Sequence, residues 1–362
     1  MAQKIADIWR DSATTFELRA YEIDPHNINK VRREIDGVMP DTCALTYGYR
    51  SDTRVSAELS VKGNCSVWWI RLTLDVIPAH DTNYKKPQRE ELGTFCVSHR
   101  SYDRAGDITT FTLQSAIWAI SEDRLGSRWT VGKGTSAKKA IQRACSVCHR
   151  QAVFLPSYRD RAYGKTVAFL PSEAAFSGFL FDACKVAGAR MDVDGHGRLT
   201  FAKYIVPRSR SADWILDERD KRSIILTTDN VYEDSTGEAY NRSVVQHTKT
   251  SGKSEQYIFG SYTLPATHAA SAAKRGFTRA NVHEESDLKP ETGAQANRKA
   301  RAYSGEDAAR GIELTLEIMW APIVAGNMIE FYNRAGQKSK WLVKTVEARC
   351  DSWVKQLTLE LV

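Results

Sequence analysis

No stretch of this 362-residue chain approaches the ~20 consecutive apolar residues that a membrane-spanning helix needs. Its first ten residues, Met1 to Arg10, lack the apolar core of a secretory signal. The expectation is a protein that is soluble when made and has no membrane partner. Charge of one sign is also scarce: 51 Lys and Arg against 44 Asp and Glu leave a net +7, spread along the chain. A DNA-binding domain concentrates its excess on one helix or face, so this balance alone does not predict nucleic-acid binding. The seven cysteines (Cys43, Cys65, Cys96, Cys145, Cys148, Cys184 and Cys350) are odd in number and scattered. That pattern suits reduced thiols in a cytoplasm-made protein and excludes a disulfide-stapled scaffold.

Recognisable chemistry is missing as well. The eight histidines are dispersed, and none neighbours a Ser or Cys in a nucleophile motif. Cys145-Ser-Val-Cys148-His149 matches the haem-attachment pattern C-x-x-C-H, but it falls inside an amphipathic helix of a chain with no export signal. Zinc at the same residues would need a fourth ligand, and no companion pair lies nearby. Asp192-Val-Asp194-Gly-His-Gly197 has oxygen donors at alternate positions but lacks the further carboxylates and the closing Glu of a calcium loop, so it reads as a hairpin turn. Gly132-Lys-Gly-Thr135 lacks the Lys-Ser/Thr pair of a phosphate loop and reads as the approach to a helix cap. The sequence therefore offers no catalytic, cofactor-binding or metal-ligating residue, and no enzyme or cofactor is expected.

What the sequence does have is alternation. Ile70, Leu72, Leu74 and Val76 alternate with Arg71, Thr73 and Asp75, which predicts a half-buried antiparallel strand with one polar face. After a polar loop from Pro78 to Glu91, the runs Leu92 to Ser98 and Thr109 to Leu113 complete a meander, and Ile117, Trp118 and Ile120 are read as closing that sheet. Phe16 to Tyr21, Val31 to Ile35, Leu45 to Tyr49 and Val55 to Val61 supply further strands, while residues 1–12 form a short leading segment. Spacings of roughly 8–12 residues suit a small barrel or sandwich. The C-terminus repeats the device in Ile312 to Met319, Met328 to Tyr332, Trp341 to Glu347 and Leu357 to Leu361, with a turn at Gly326-Asn327.

Between these ends the period changes. Thr135 or Ser136 caps a helix running from Ala137 to about Val153, and a second helix, Phe176 to Val186, ends at Gly188. Arg190 to Asp194 and Arg198 to Ala202 form a hairpin. Pro207 to Asp213 reads as a linker; Ile224 to Asn230 and Asn241 to Thr248 return to strand. Residues 263–311 are poor in apolar side chains and read as an extended arm with a helix near Thr292 to Arg301. The predicted fold is mainly β with an α+β insert: two tube-type antiparallel β-barrel or sandwich domains flanking a small α+β module. The boundaries are 1–120 for the first β-domain, 121–211 for the α+β module, 212–262 with 312–362 for the second β-domain, and 263–311 for the arm.

Four segments in order carry a resemblance: Glu91-Leu-Gly-Thr-Phe-Cys-Val-Ser98, Ala174 to Gly188, Asp192 to Phe201, and Tyr240-Asn-Arg-Ser-Val-Val245. They resemble, in turn, a first-barrel strand, the small-domain helix, its hairpin and a later strand of bacteriophage tail hub proteins, the baseplate hub or minor tail protein family. The resemblance covers about residues 13–362. It implies a homotrimer whose six tube-like domains dock on a hexameric distal tail or tail tube protein. It further implies contacts with the tape measure protein and with a central fibre or spike, at the tail tip of a virion assembled in the host cytoplasm. No catalytic motif of the family is matched. The chain stops at Val362 directly after a strand, so wall cleavage or receptor binding is expected from another protein. Two rival readings stay open. One is a cell-wall-degrading hydrolase of the tail tip with carboxylates gathered from distant loops. The other is a nucleic-acid binder using Arg208, Arg210, Lys274, Arg275, Arg298, Lys299 and Arg301.

Overall fold

The computed structural model describes residues 3–4, 9, 14–49, 51, 54–77, 88–171, 175–227, 232–234, 239–251, 254–268, 270–284, 292–309 and 312–362. Most of the leading segment, 78–87 of the polar loop, 228–230 of the strand expected at 224–230, and 285–291 and 310–311 of the expected arm lie outside these residues.

The fold is mainly β with a small helical insert, as the alternation predicts. One 15-stranded sheet takes in both ends of the chain. In its first half the strands stand side by side in the order Val38–Gly48, Val55–Lys62, Ile108–Ser115, Gln88–Asp103, Trp69–Ile77, Thr15–Asp24, with Asn27–Ile35 outermost. In its second half the order is Ile225–Thr227 and Tyr232–Asp234, then Ile312–Met319, Val354–Leu361, Lys338–Arg349, Met328–Tyr332, Trp214–Asp217, with Gln3–Lys4 outermost. The two orders correspond strand for strand.

Register extends the correspondence to residues. Ile70 pairs with Phe95, and Ile329 with Trp341. Val97 pairs with Leu113, and Val343 with Leu359; Leu59 pairs with Phe111, and Leu316 with Leu357. Each long central strand is bulged directly after these pairs, between Val97 and His99 in one and between Val343 and Thr345 in the other. The departure is in the last two strands, since 15–24 runs antiparallel to 69–77 and to 27–35 whereas 214–217 runs parallel to 328–332 and to 3–4. The inward side chains of both halves form a single apolar core, from Leu18 through Phe95 and Trp320 to Leu359.

The insert has a core of its own. It holds α1 (Ala116–Glu122), α2 (Ala137–Val147) and α3 (Phe176–Ala187), with strand Ala189–Val193 antiparallel to Leu199–Lys203 and Ala152–Phe154 parallel to the latter. Ser136 caps α2 by accepting from Lys139 N, and Gly188 ends α3 in the left-handed conformation at φ 60°. Two expectations change here. Ile117, Trp118 and Ile120 lie in α1, whose first turn Ser115 caps, and do not close the sheet. Helix α2 stops at Val147 rather than near Val153, because the chain must turn at His149, φ 53°, to lay 152–154 beside 199–203.

A third element departs from the expected map. Strand Arg242–Ser251, read from sequence as part of the second β-region, pairs instead with Ser254–Thr263 and, in parallel, with Ala280–Glu284. Beyond the short α4 (Ala272–Arg275), helix α5 (Gly293–Ala309) packs Ala296 and Ala300 against Val245 and Ile258 of that sheet. The described part of the expected extended arm is thus folded, because small alanines let a helix lie close on the sheet. At Gly260 a Cβ would stand 2.2 Å from the Ala296 carbonyl carbon. Pro207 to Asp213, expected to be a linker, is pinned: Asp213 Oδ2 accepts from Met328 N (2.7 Å), and strand 214–217 follows at once.

Candidate functional site

The features that hold the parts together are also those that could serve an assembly. The halves of the large sheet meet where 345–349 of one long strand pairs antiparallel with 44–48, from Thr345 opposite Gly48 to Arg349 opposite Ala44. Tyr49 N to Lys344 O (2.9 Å) and Cys350 N to Cys43 O (3.0 Å) extend the joint at either end. Leu45, Val346, Ala348, Cys43 and Cys350 are buried there. The Cys43 sulfur beside it, together with burial, pushes the Cys350 thiol far up.

A buried cation crosses the same boundary. Lys355 Nζ donates to Ala321 O (2.6 Å) and Ile323 O (3.3 Å), lies 4.4 Å from the centre of the Trp320 ring, and stands 3.8 Å from Glu90 Oε1. Trp320 Nε1 donates to Glu90 Oε2 (2.9 Å), so Glu90, from the first half, is bound by two groups of the second. Burial depresses the Lys355 pKa.

A second seam joins the insert to the sheet. Strand 69–77 is buried on both faces, not half-buried as its alternation predicts, because the 189–203 hairpin covers its polar face. Arg71 Nε donates to Thr94 Oγ1 (2.9 Å), and Arg71 Nη2 to Ile28 O (2.6 Å) and His196 O (3.4 Å); the Thr94 hydroxyl donates to Gly195 O (3.0 Å). The residues read as a calcium-like loop form the turn that reaches this site: Asp194 Oδ1 accepts from His196 N and Arg198 N, and its other oxygen from Arg198 Nε. Gly197, at φ 78°, takes the left-handed turn position, where a side chain would meet Thr94. Asp75, on the same face, is ion-paired with Arg89 (2.8 Å) and Arg19 (3.0 Å), and hydrogen bonds from Arg89 hold its carboxyl below the usual range.

Beside this seam a cavity of about 360 Å³ opens between the hairpin and the 324–327 turn. Tyr49, Arg190, Asp192, Lys203, Arg210 and Asn327 are among its lining. Arg190 lies over the Tyr49 ring (3.9 Å) and pairs with Asp192 (2.8 Å).

On α5, Asp307 is buried and accepts from Ser243 Oγ, Asn281 Nδ2 (2.7 Å) and His283 Nε2 (2.9 Å) of the sheet beneath, while His283 stacks on Tyr303 at 4.1 Å. A Ser, a His and an Asp thus come together, but the hydroxyl is buried and bonded to the carboxylate rather than to the imidazole. A nucleophile needs the reverse order, with the base on the hydroxyl. The group acts as a clasp between helix and sheet.

Of the motifs weighed from sequence, Cys145 lies on the buried stripe of α2 and Cys148, also buried, caps its C-terminus, and burial pushes both thiols up to about 12. Among the described residues no cluster of His, Cys, Asp or Glu is arranged to hold a metal, and no helix is long and apolar enough to cross a membrane. Gly132 to Thr135 leads into the α2 cap. Of the basic residues weighed for nucleic acid, Arg210 pairs with Asp213, Arg275 lies over Phe277, Arg301 over Tyr262, and Arg298 is exposed on α5. Sequence reasoning passed over Arg71, Lys355 and Asp307, each a single charged residue inside an ordinary strand or helix pattern.

No protein-family model matches the chain, and no curated protein matches it by sequence. Solved structures do. A tail protein of Neisseria meningitidis superposes at TM-score 0.64 with 11% identity, covering 95% of this chain and 96% of that one. Prophage tail protein gp18 of Listeria monocytogenes gives 0.59 and 11%, covering 95% and 94%. The 43 kDa tail protein of prophage MuSo2 from Shewanella oneidensis gives 0.60 and 8%, covering 95% and 98%. Over nearly its whole length, then, this chain has the fold of phage and prophage tail proteins.

Proposed function

We propose that the chain is a structural, non-enzymatic part of a phage tail: the hub that closes the distal end of the tail tube. In this reading three copies form a ring, each giving two β-units, built from residues 15–115 and from 214–234 with 312–361. The insert and the α5 module lie to the side. The ring meets a hexameric distal tail or tail tube protein on one face, and the tape measure protein and a central fibre or spike elsewhere, in a virion assembled in the host cytoplasm.

The observation that supports this best is the shared strand order of the two halves, joined edge to edge in one sheet. Three such chains present six similar units, so a threefold ring can face a sixfold partner with every binding surface matched. Agreement in fold with three tail proteins over 95% of the chain supports the setting. The test is electron microscopy of the purified protein, together with immunolabelling of tails. The expected image is a threefold ring with six lobes, labelled at the tail tip. A ring of another symmetry, or label along the tube wall, would overturn the reading.

A further inference from the structure

The 189–203 hairpin has two faces, and the insert uses one of them. Met191, Leu199 and Phe201 pack into the core of the insert. The register that sets Arg190 opposite Ala202 and Asp192 opposite Thr200 puts these four on the other face, across the cavity of about 360 Å³ from the 324–327 turn. The cavity is therefore walled by the insert on one side and by the second β half on the other.

Two cationic groups in this wall are left unmet. Arg190 lies over the Tyr49 ring at 3.9 Å and gives Nη2 to Asp192 (2.8 Å), yet its Nε is buried with no acceptor among the described residues. Buried donors are nearly always satisfied, so an orphan at the wall of a cavity calls for an acceptor from outside the chain. Lys203, an exposed part of the lining, has no anionic partner among the described residues. Arg210, the third cation, is met by Asp213 (3.3 Å).

Beside the cations the lining is apolar and open. Leu155 is 42% exposed and Ile205 42% exposed, and both belong to the same cavity. They stand on pinned backbone: Leu155 N donates to Phe201 O (2.9 Å), and next to Ile205, Tyr204 N donates to Gly188 O (3.0 Å). A fixed cationic pocket with an apolar margin matches a ligand that carries negative charge and apolar surface side by side.

We infer that this cavity binds a short acidic segment of another protein. An Asp or Glu carboxylate enters between Arg190 and Lys203, and the apolar side chain next to it lies on Leu155 and Ile205. A carboxylate only accepts hydrogen bonds, which is what the Arg190 Nε lacks, and pairing with a guanidinium strengthens the bond. An inorganic anion would use the cations and leave the apolar margin in water. Nucleic-acid bases stack on open aromatic faces, and Tyr49 is buried beneath Arg190. The site lies within one chain and does not depend on the ring.

The test uses the purified full-length protein and a displayed library of random short peptides. Enriched sequences should carry Asp or Glu next to Leu, Ile, Phe or Met. A fluorescein-labelled peptide made from the most enriched sequence should bind more weakly at high salt, because screening weakens the ion pairs. Its affinity should fall at least about tenfold in R190M, in K203E, and when its carboxylates are replaced by amides, the loss expected from one charge-assisted hydrogen bond. K203E changes an exposed side chain and should melt with wild type, so its loss of binding reports on the site and not on folding. Bound peptide should also slow hydrogen exchange in 189–193 and 324–327 together, since it touches both walls. Enrichment without carboxylates, or binding indifferent to both R190M and K203E, would sink the assignment. Displacement of the peptide by an equal concentration of inorganic phosphate or of a single-stranded oligonucleotide would replace the acidic segment with that other ligand.

Discussion

Lys355 and Glu90 face each other 3.8 Å apart across the boundary between the two β halves, with the ammonium wholly buried under the Trp320 ring. Removing one member of a buried pair typically costs about 3–5 kcal/mol. Here it would also leave the Ala321 and Ile323 carbonyls without their donor. K355A should destabilise the protein by about that amount in urea unfolding. Since burial lowers the folded pKa of Lys355, the unfolded chain binds this proton more tightly. Stability from this group should therefore rise as pH climbs from the folded value toward about 10.4, the unfolded one. The gap between wild type and K355A should widen over that window. A gap that stays flat would mean that the ammonium is not held in a dry site.

Arg71 fastens the insert. Charge-assisted hydrogen bonds contribute about 1.5–3 kcal/mol each, so R71M should cost about 3 kcal/mol and, more specifically, should speed hydrogen exchange at the amides of His196 and Arg198 ahead of those in α2. Equal acceleration everywhere would indicate a general loss of stability instead of an opened seam.

The thiols of Cys145, Cys148 and Cys184 are raised to about 12 by burial. Each is neutral in the folded protein above the pH where the unfolded thiol ionises, so each contributes stability that is lost as pH rises from about 9 toward 12, at about 1.4 kcal/mol per pH unit. The C145A/C148A/C184A variant should show a shallower alkaline decline. Cys65 and Cys96, only partly buried, should react first with a thiol reagent in the native protein. Early labelling of Cys145 would contradict the packing described.

Gly260 lets α5 touch the sheet. A methyl group at this position would meet the helix backbone at 2.2 Å, and overpacking of this kind costs about 1–3 kcal/mol. G260A should expose 293–309 to proteolysis while leaving the large sheet intact. Simultaneous cleavage in strand 69–77 would show that the α5 module does not open on its own.

Local pattern was enough for much of this protein. The alternation of Leu314, Leu316 and Ile318, and of Leu357 and Leu359, fixes strands with one buried face whatever their partners are. Ser136 and Gly188 mark helix ends because a hydroxyl acceptor and a left-handed residue are needed at those positions wherever the helix lies. What local pattern cannot express is which surface covers a polar face or which strand takes an edge, since both depend on residues distant in the chain. Arg71 reads as solvent-facing until the hairpin turn, more than a hundred residues later, lies on it, and burial then makes its hydrogen bonds obligatory. Strand 242–251 has the same alternation whether it joins the large sheet or a small one, and only the close fit of Ala296 over Gly260 decides for the latter. The repeat of the two halves was decided at the tertiary level too: sheet register sets Phe95 in the place of Trp341 and Phe111 in that of Leu357, and matches Ile70, Val97 and Leu113 with Ile329, Val343 and Leu359, single apolar residues that local pattern does not mark out from their neighbours.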